Sequence, residues 1–171
     1  MYLIEKCTKC KSTFTTEDLA GNYVYELVNG LTAPINRTAG WCYHCDTLRP
    51  IEDLDPTAND QRIAELSNSV KKPVGFFKSL SGKHNEQSRK DVDELRALEL
   101  LKQALLSRET DPKCLECGSS DVEPVNGDAG GCYRPSCGGQ LVENKEPIFA
   151  YMEYPLQIYS LNGDLLRSED L

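Results

Sequence analysis

The chain has 171 residues, of which 27% are charged and 39% hydrophobic, with a net charge of −8 and a mean hydropathy of −0.49. No stretch approaches the ~20 apolar residues that a membrane span requires, so no membrane association is expected, and one large core is not expected from so polar a composition. The opening Met-Tyr-Leu-Ile-Glu-Lys has no basic region ahead of a long apolar run, so a secretory signal is not expected and a cytoplasmic location is.

In chain order, the first feature is Cys7-Thr-Lys-Cys10, a tight turn carrying two thiols. Asn22 to Val28 alternates and is rich in β-branched and aromatic residues, which predicts a strand. Asn29-Gly30 favours a type I′ hairpin turn, and Leu31 to Arg37 is the expected return strand, placed at an edge by Pro34. A second turn, Cys42-Tyr-His-Cys45, follows Trp41. Asp55-Pro56-Thr57 predicts a helix start, with Asp60 to Leu66 as a short helix. A longer helix is expected over residues 88–109, where Val92, Leu95, Leu98, Leu101 and Leu105 recur at steps of three and four. Such a stripe must be covered by the first helix, by a β-module or by a second copy of the chain, so self-association through helix 88–109 is one expectation. Cys114-Leu-Glu-Cys117-Gly118 and Cys132 to Cys137, followed by Gly138-Gly139, form the third and fourth turns. Glycine after the second thiol permits the left-handed backbone that aims N–H groups at sulfur. Ile158 to Leu166 reads as a hairpin around Asn162-Gly163.

All eight cysteines therefore fall in close pairs, three C-x2-C and one C-x4-C. Without a secretory signal, metal binding is favoured over a disulfide framework. A redox centre would need one reactive C-x2-C at a strand–helix junction, not pairs in matched twos. Eight thiolates make two tetrahedral sites, so the expected cofactor is two structural Zn2+ per chain, held by Cys7, Cys10, Cys42, Cys45, Cys114, Cys117, Cys132 and Cys137. Iron in a rubredoxin-like site uses the same ligands and is a possible substitute. Local closure is expected, Cys7/Cys10 with Cys42/Cys45 and Cys114/Cys117 with Cys132/Cys137, because pairing the first turn with the third would close a longer loop.

The pattern C-x2-C-Gly, x13, C-x4-C-Gly over residues 114–138 resembles the zinc-ribbon superfamily. The N-terminal C-x2-C-x31-C-x2-C is similar, with Lys11 and Asp46 where a glycine is usual. The resemblance implies small three-stranded modules on four-cysteine sites and carries no function by itself. The expected fold class is α+β, with two small zinc-ribbon β-modules flanking a helical middle segment. Residues 1–50 form the first ribbon and residues 51–112 the helical linker region. Residues 113–171 form an acidic second ribbon with a terminal β-hairpin.

Four thiolates close a zinc shell, whereas catalytic zinc keeps a position for water. His44, between Cys42 and Cys45, reads as a loop residue rather than a ligand. Lys6, Lys9, Lys11, Lys113 and Arg134 either offset the −2 charge of a zinc tetrathiolate or are ordinary surface charge. There is no G-x-S-x-G elbow, and Gly75 with Gly82-Lys83 lacks the spacing of a phosphate loop. No catalytic residues are assigned. A metal-dependent enzyme is the least favoured class.

Residues 69–90 hold Lys71, Lys72, Lys78, Lys83, Arg89 and Lys90 against Glu86, with Phe76-Phe77 among them. This basic loop either holds phosphates and stacks on bases or is a solvated face with the phenylalanines tucked under the helices. Residues 111–171 carry four basic and eleven acidic side chains, which would repel a phosphate backbone. The favoured expectation is a non-enzymatic zinc-stabilised adaptor that binds a protein partner. The alternative is a nucleic-acid-binding regulator using the N-terminal ribbon and the basic loop 69–90.

Overall fold

The computed structural model describes residues 2–15, 19–71, 82–125, 131–148 and 154–170. Among the described residues the chain is mixed α/β and mostly β. In chain order the elements are β1 (Tyr2–Cys7), β2 (Thr13–Thr15), β3 (Asn22–Glu26), β4 (Thr32–Pro34), β5 (Arg37–Cys42), β6 (Thr47–Glu52), α1 (Asp60–Lys71) and α2 (Gly82–Ser107). Four strands follow the helices: β7 (Val122–Pro124), β8 (Leu141–Ile148), β9 (Leu156–Tyr159) and β10 (Leu165–Glu169).

Three sheets form, with strand orders β2-β1-β8, β10-β9-β3-β4 and β6-β5-β7. Each combines strands from before and after the helices. The β1–β8 and β5–β7 pairs are antiparallel, while β3 and β9 run parallel with Val24 opposite Ile158. β6 extends its ladder further, since Leu115 donates its N–H to Pro50 O and Glu52 donates to Lys113 O. The two ends of the sequence are thus interleaved rather than stacked in sequence order.

The larger core lies under α2. Tyr23, Tyr25, Leu27, Ala33 and Ile35 from the β3–β4 region pack with Ala97, Leu101 and Leu105 of α2, together with Leu115 and Tyr159. The predicted helical stripe is real, and its C-terminal half, Leu98, Leu101 and Leu105, is buried within the chain. Val92 at its start remains 43% exposed. Both helices are longer than expected; α2 begins at Gly82 and α1 runs past Leu66 to Lys71. Asp55 accepts the Thr57 N–H ahead of α1 at 2.8 Å. Arg62 grips Glu94 through two nitrogens at 2.7 and 2.8 Å and ties α1 to α2.

One buried ion pair joins α2 to the sheets. Arg108, one residue past α2, donates to Glu52 at the end of β6 at 2.6 and 2.9 Å, with side chains 3% and 0% exposed. Glu52 also accepts from Tyr25 Oη at 2.5 Å and from the Lys113 N–H at 2.9 Å. Every lone pair of this carboxylate is therefore answered, which a buried charge requires.

The β3–β4 hairpin forms as expected with Pro34 on an edge strand, but a single 3-10 turn, Val28–Gly30, replaces the predicted two-residue turn. The physical reason is length: Leu27 donates to Leu31 O at 2.7 Å, closing a loop that Asn29-Gly30 alone would not span. The terminal hairpin turns at Asn162-Gly163 as predicted, with Gly163 at φ 76° and Ser160 donating to Asp164 O. No helix among the described residues is long and apolar enough to cross a membrane.

Candidate metal centres

The thiols do gather into two quartets, but not by local closure. Cys7 and Cys10 meet Cys132 and Cys137, while Cys42 and Cys45 meet Cys114 and Cys117. The pairing is nested, first turn with fourth and second with third. This corrects both the expected pairing and its considered rival of first with third. The ladders explain it: β1 ends at Cys7 opposite Leu141 of β8, just beyond the fourth turn, and β5 ends at Cys42 opposite Val122 of β7, just beyond the third.

Within each quartet the candidate ligand atoms all lie within 4.8 Å of one another. Sγ–Sγ separations of 3.6 Å for Cys7–Cys137, 3.7 Å for Cys10–Cys132 and 3.5 Å for Cys42–Cys117 recur. A tetrahedral ion with metal–sulfur bonds near 2.3 Å sets its sulfurs about 3.8 Å apart, whereas a disulfide needs about 2.05 Å. Both quartets could hold a metal ion. We call Cys7/Cys10/Cys132/Cys137 the outer quartet and Cys42/Cys45/Cys114/Cys117 the inner one, after their order along the chain.

The backbone of the turns explains why these residues converge. The residue after the second thiol is left-handed at Lys11, φ 66°, Asp46, φ 50°, Gly118, φ 72°, and Gly138, φ 61°. Lys11 and Asp46 thus adopt the conformation that glycine takes in the other two turns, despite a cost of roughly 1–2 kcal/mol for a side chain there. The turns close through Lys11 N–H to Cys7 O at 3.2 Å and Gly118 N–H to Cys114 O at 2.9 Å. Lys9 N–H and Cys45 N–H point at the Sγ of Cys7 and Cys42 at 3.4 and 3.5 Å.

These donors shape the thiol acidities. Burial pushes the Cys7 and Cys42 thiols up, but N–H groups of the turns and hydrogen bonds from neighbouring thiols together hold both below the ordinary value. Cys10 is lowered to about 6, chiefly by the Ser12 hydroxyl 3.3 Å away. Burial raises Cys45 to about 11 and Cys132 to about 12, and it also raises Cys114. Four thiolates so close together repel one another, and a divalent cation is the charge that would let them all ionise.

The sequence gives no sign of how Phe14 and Tyr133 join the surroundings of the centres. Gly139 has no room for a methyl group, since a Cβ there would overlap Cys7 Sγ and lie 2.9 Å from Lys9 Cβ. A small aromatic core packs against the outer quartet. Phe14 meets Trp41 edge-on at 6.2 Å and Tyr133 edge-on at 5.2 Å, within a cluster that also holds Cys7 and Leu48. Arg134 lies 5.6 Å over the Trp41 ring and 3.1 Å from Asp46.

Of the other singled-out residues, His44 is exposed and stands outside both quartets. Lys11 Nζ bonds Thr8 O, and Lys113 Nζ bonds Asp164 at 2.6 Å. Lys6 and Lys9 are exposed. In the basic loop, Lys72, Phe76, Phe77 and Lys78 lie outside the described residues, as do the side chains of Lys71 and Lys83. Lys90 pairs with Glu86 at 3.0 Å on the exposed face of α2. No protein-family model matches this sequence, and no curated protein or solved structure matches it.

Proposed function

We propose that this chain is a non-enzymatic binding protein in which both thiolate quartets hold structural zinc. The observation that carries this reading is that each centre gathers four sulfurs within 4.8 Å of one another, with separations of 3.5 to 3.7 Å at three of the pairs. A zinc ion held this way has no position left for substrate or water. Zinc rather than iron is the metal we assign, and each centre acts as a staple between ladders, in the manner of zinc-ribbon modules set beside a helical pair.

For recognition we assign the outer edge of β10. All five of its residues are exposed, with Leu165 at 55% and Leu166 at 50%, and its other edge is occupied by β9. An edge of this kind takes an extended segment by strand addition. Glu26, Asp164, Glu169 and Asp170 surround it against Arg167 and Lys113, so the occupant is an extended protein segment carrying basic residues. The α2 stripe is less suited to self-association because half of it is already covered.

Elemental analysis of gently purified protein should return about two zinc per chain. A native pull-down should then recover a partner that Leu165→Asp/Leu166→Asp fails to recover while keeping its zinc. An unchanged partner set would refute the assignment of β10. Salt-sensitive binding of random DNA or RNA, lost on neutralising Lys71, Lys72, Lys78 and Lys83, would favour the nucleic-acid reading instead.

A further inference from the structure

Three features tie the two quartets together. The first is chain connectivity. About 120 residues separate Cys10 from Cys132, and the inner quartet lies wholly within that interval. Once the inner quartet is closed, the path from Cys10 to Cys132 shortens to roughly 45 residues, and with closure probability falling as the 3/2 power of length the outer site gains about fourfold. The second is the shared core. Trp41, 2% exposed, immediately precedes Cys42 of the inner quartet, and Tyr133 immediately follows Cys132 of the outer one. Phe14 stands between them and touches both rings. Ordering either turn therefore sets one wall of the packing that the other turn needs. The third is electrostatic. Arg134 of the outer Cys132–Cys137 turn reaches Asp46, which follows Cys45, and covers Trp41.

We propose that the two quartets bind metal as a coupled pair, so that an ion at the inner quartet raises the affinity of the outer one. By reciprocity, the outer ion raises the affinity of the inner by the same factor. This rests on the reading of both quartets as metal sites, and it lowers the share of chains that carry a single ion. Trp41, the chain's one tryptophan, sits where its emission reports both loadings.

The test is a zinc titration of the full chain against a chelator of known affinity, followed by Trp41 emission and native mass spectrometry. Two variants accompany the wild type. Cys114→Ser opens the inner quartet; Arg134→Ala keeps all eight thiols and removes only the bridge. Coupling predicts that the zinc remaining in Cys114→Ser is held at least about fourfold more weakly than the weaker zinc of the wild type. It also predicts that Arg134→Ala raises the singly loaded fraction at one zinc per chain. Either shift upholds the coupling. If the remaining zinc keeps its affinity within twofold and the Arg134→Ala distribution is unchanged, the coupling is overturned while the metal sites stand. A wild type that binds no zinc overturns the metal reading itself.

Discussion

Replacing Arg108 with alanine should destabilise the zinc-loaded protein by about 3–5 kcal/mol, the range for stranding one member of a buried ion pair. The structure puts this variant at the severe end of that class. The Glu52 side chain is 0% exposed, and Arg108 supplies two of its four hydrogen bonds, at 2.6 and 2.9 Å. The Tyr25 hydroxyl and the Lys113 N–H remain, and neither carries a charge. With a urea m-value of about 2 kcal/mol/M the unfolding midpoint should fall by about 2 M. The measurement needs saturating free zinc, since metal loss would otherwise mix with unfolding. Because Lys113 is adjacent to Cys114, the inner quartet should loosen first, visible as faster zinc transfer to a chelator. The double change Glu52→Leu/Arg108→Met removes both charges and should recover most of the loss. A cost below about 1 kcal/mol for Arg108→Ala, or no recovery in the double variant, would refute the claim that this pair is desolvated and mutually dependent.

Gly139→Ala should abolish metal at the outer quartet and leave the inner ligands in place, because its methyl group would occupy the space of Cys7 Sγ; elemental analysis near two zinc would refute this. Gly163→Ala should destabilise by more than about 2 kcal/mol, since φ 76° disfavours any side chain and a Cβ would lie 2.7 Å from Glu52 Oε2; urea unfolding checks it. Lys11→Gly should be neutral to stabilising by less than about 1 kcal/mol, relieving a left-handed side chain at some cost in chain entropy, and thermal unfolding decides the sign. In the metal-free protein at pH 7, Cys10 should alkylate ahead of Cys45 and Cys132, because it is lowered to about 6 while they are raised to about 11 and 12. A thiol depressed in the folded state contributes stability that is present above its unfolded value near 9 and lost as pH falls through about 6. Zinc should protect Cys10, and peptide mapping reads all three sites.

Local features were legible in the sequence because their signals are local. The Asn162-Gly163 turn, the Asn22–Glu26 strand and the α2 stripe each follow from a few neighbouring side chains. The cysteine spacing identified all eight members of the quartets for the same reason. Lys11 and Asp46 show the limit of that logic. They lack the glycine usual after a knuckle, yet the turns force them into the same left-handed conformation. Glu52 and Arg108 gave no signal at all, since nothing in a sequence marks two charges 56 positions apart as one buried pair.

The pairing of the knuckles was illegible for a quantitative reason. Local closure has the shorter loops, and that preference is small. Each doubling of loop length costs only about 0.6 kcal/mol. Closing the inner quartet across the 68 residues between Cys45 and Cys114, rather than the 31 between Cys10 and Cys42, therefore costs about 0.7 kcal/mol. The outer quartet, closed afterwards over roughly 45 residues instead of the 14 between Cys117 and Cys132, adds about 1 kcal/mol. Two or three net hydrogen bonds outweigh the sum. The nested arrangement gains the β1–β8 ladder from Cys7 to Tyr2 and the β5–β7 ladder from Gly40 to Cys42, together with the parallel β3–β9 pair. It also buries Trp41, Phe14 and Leu48 against the outer quartet. Long-range strand pairing therefore decides which thiols meet, and the metal ions stabilise the loops that this pairing closes.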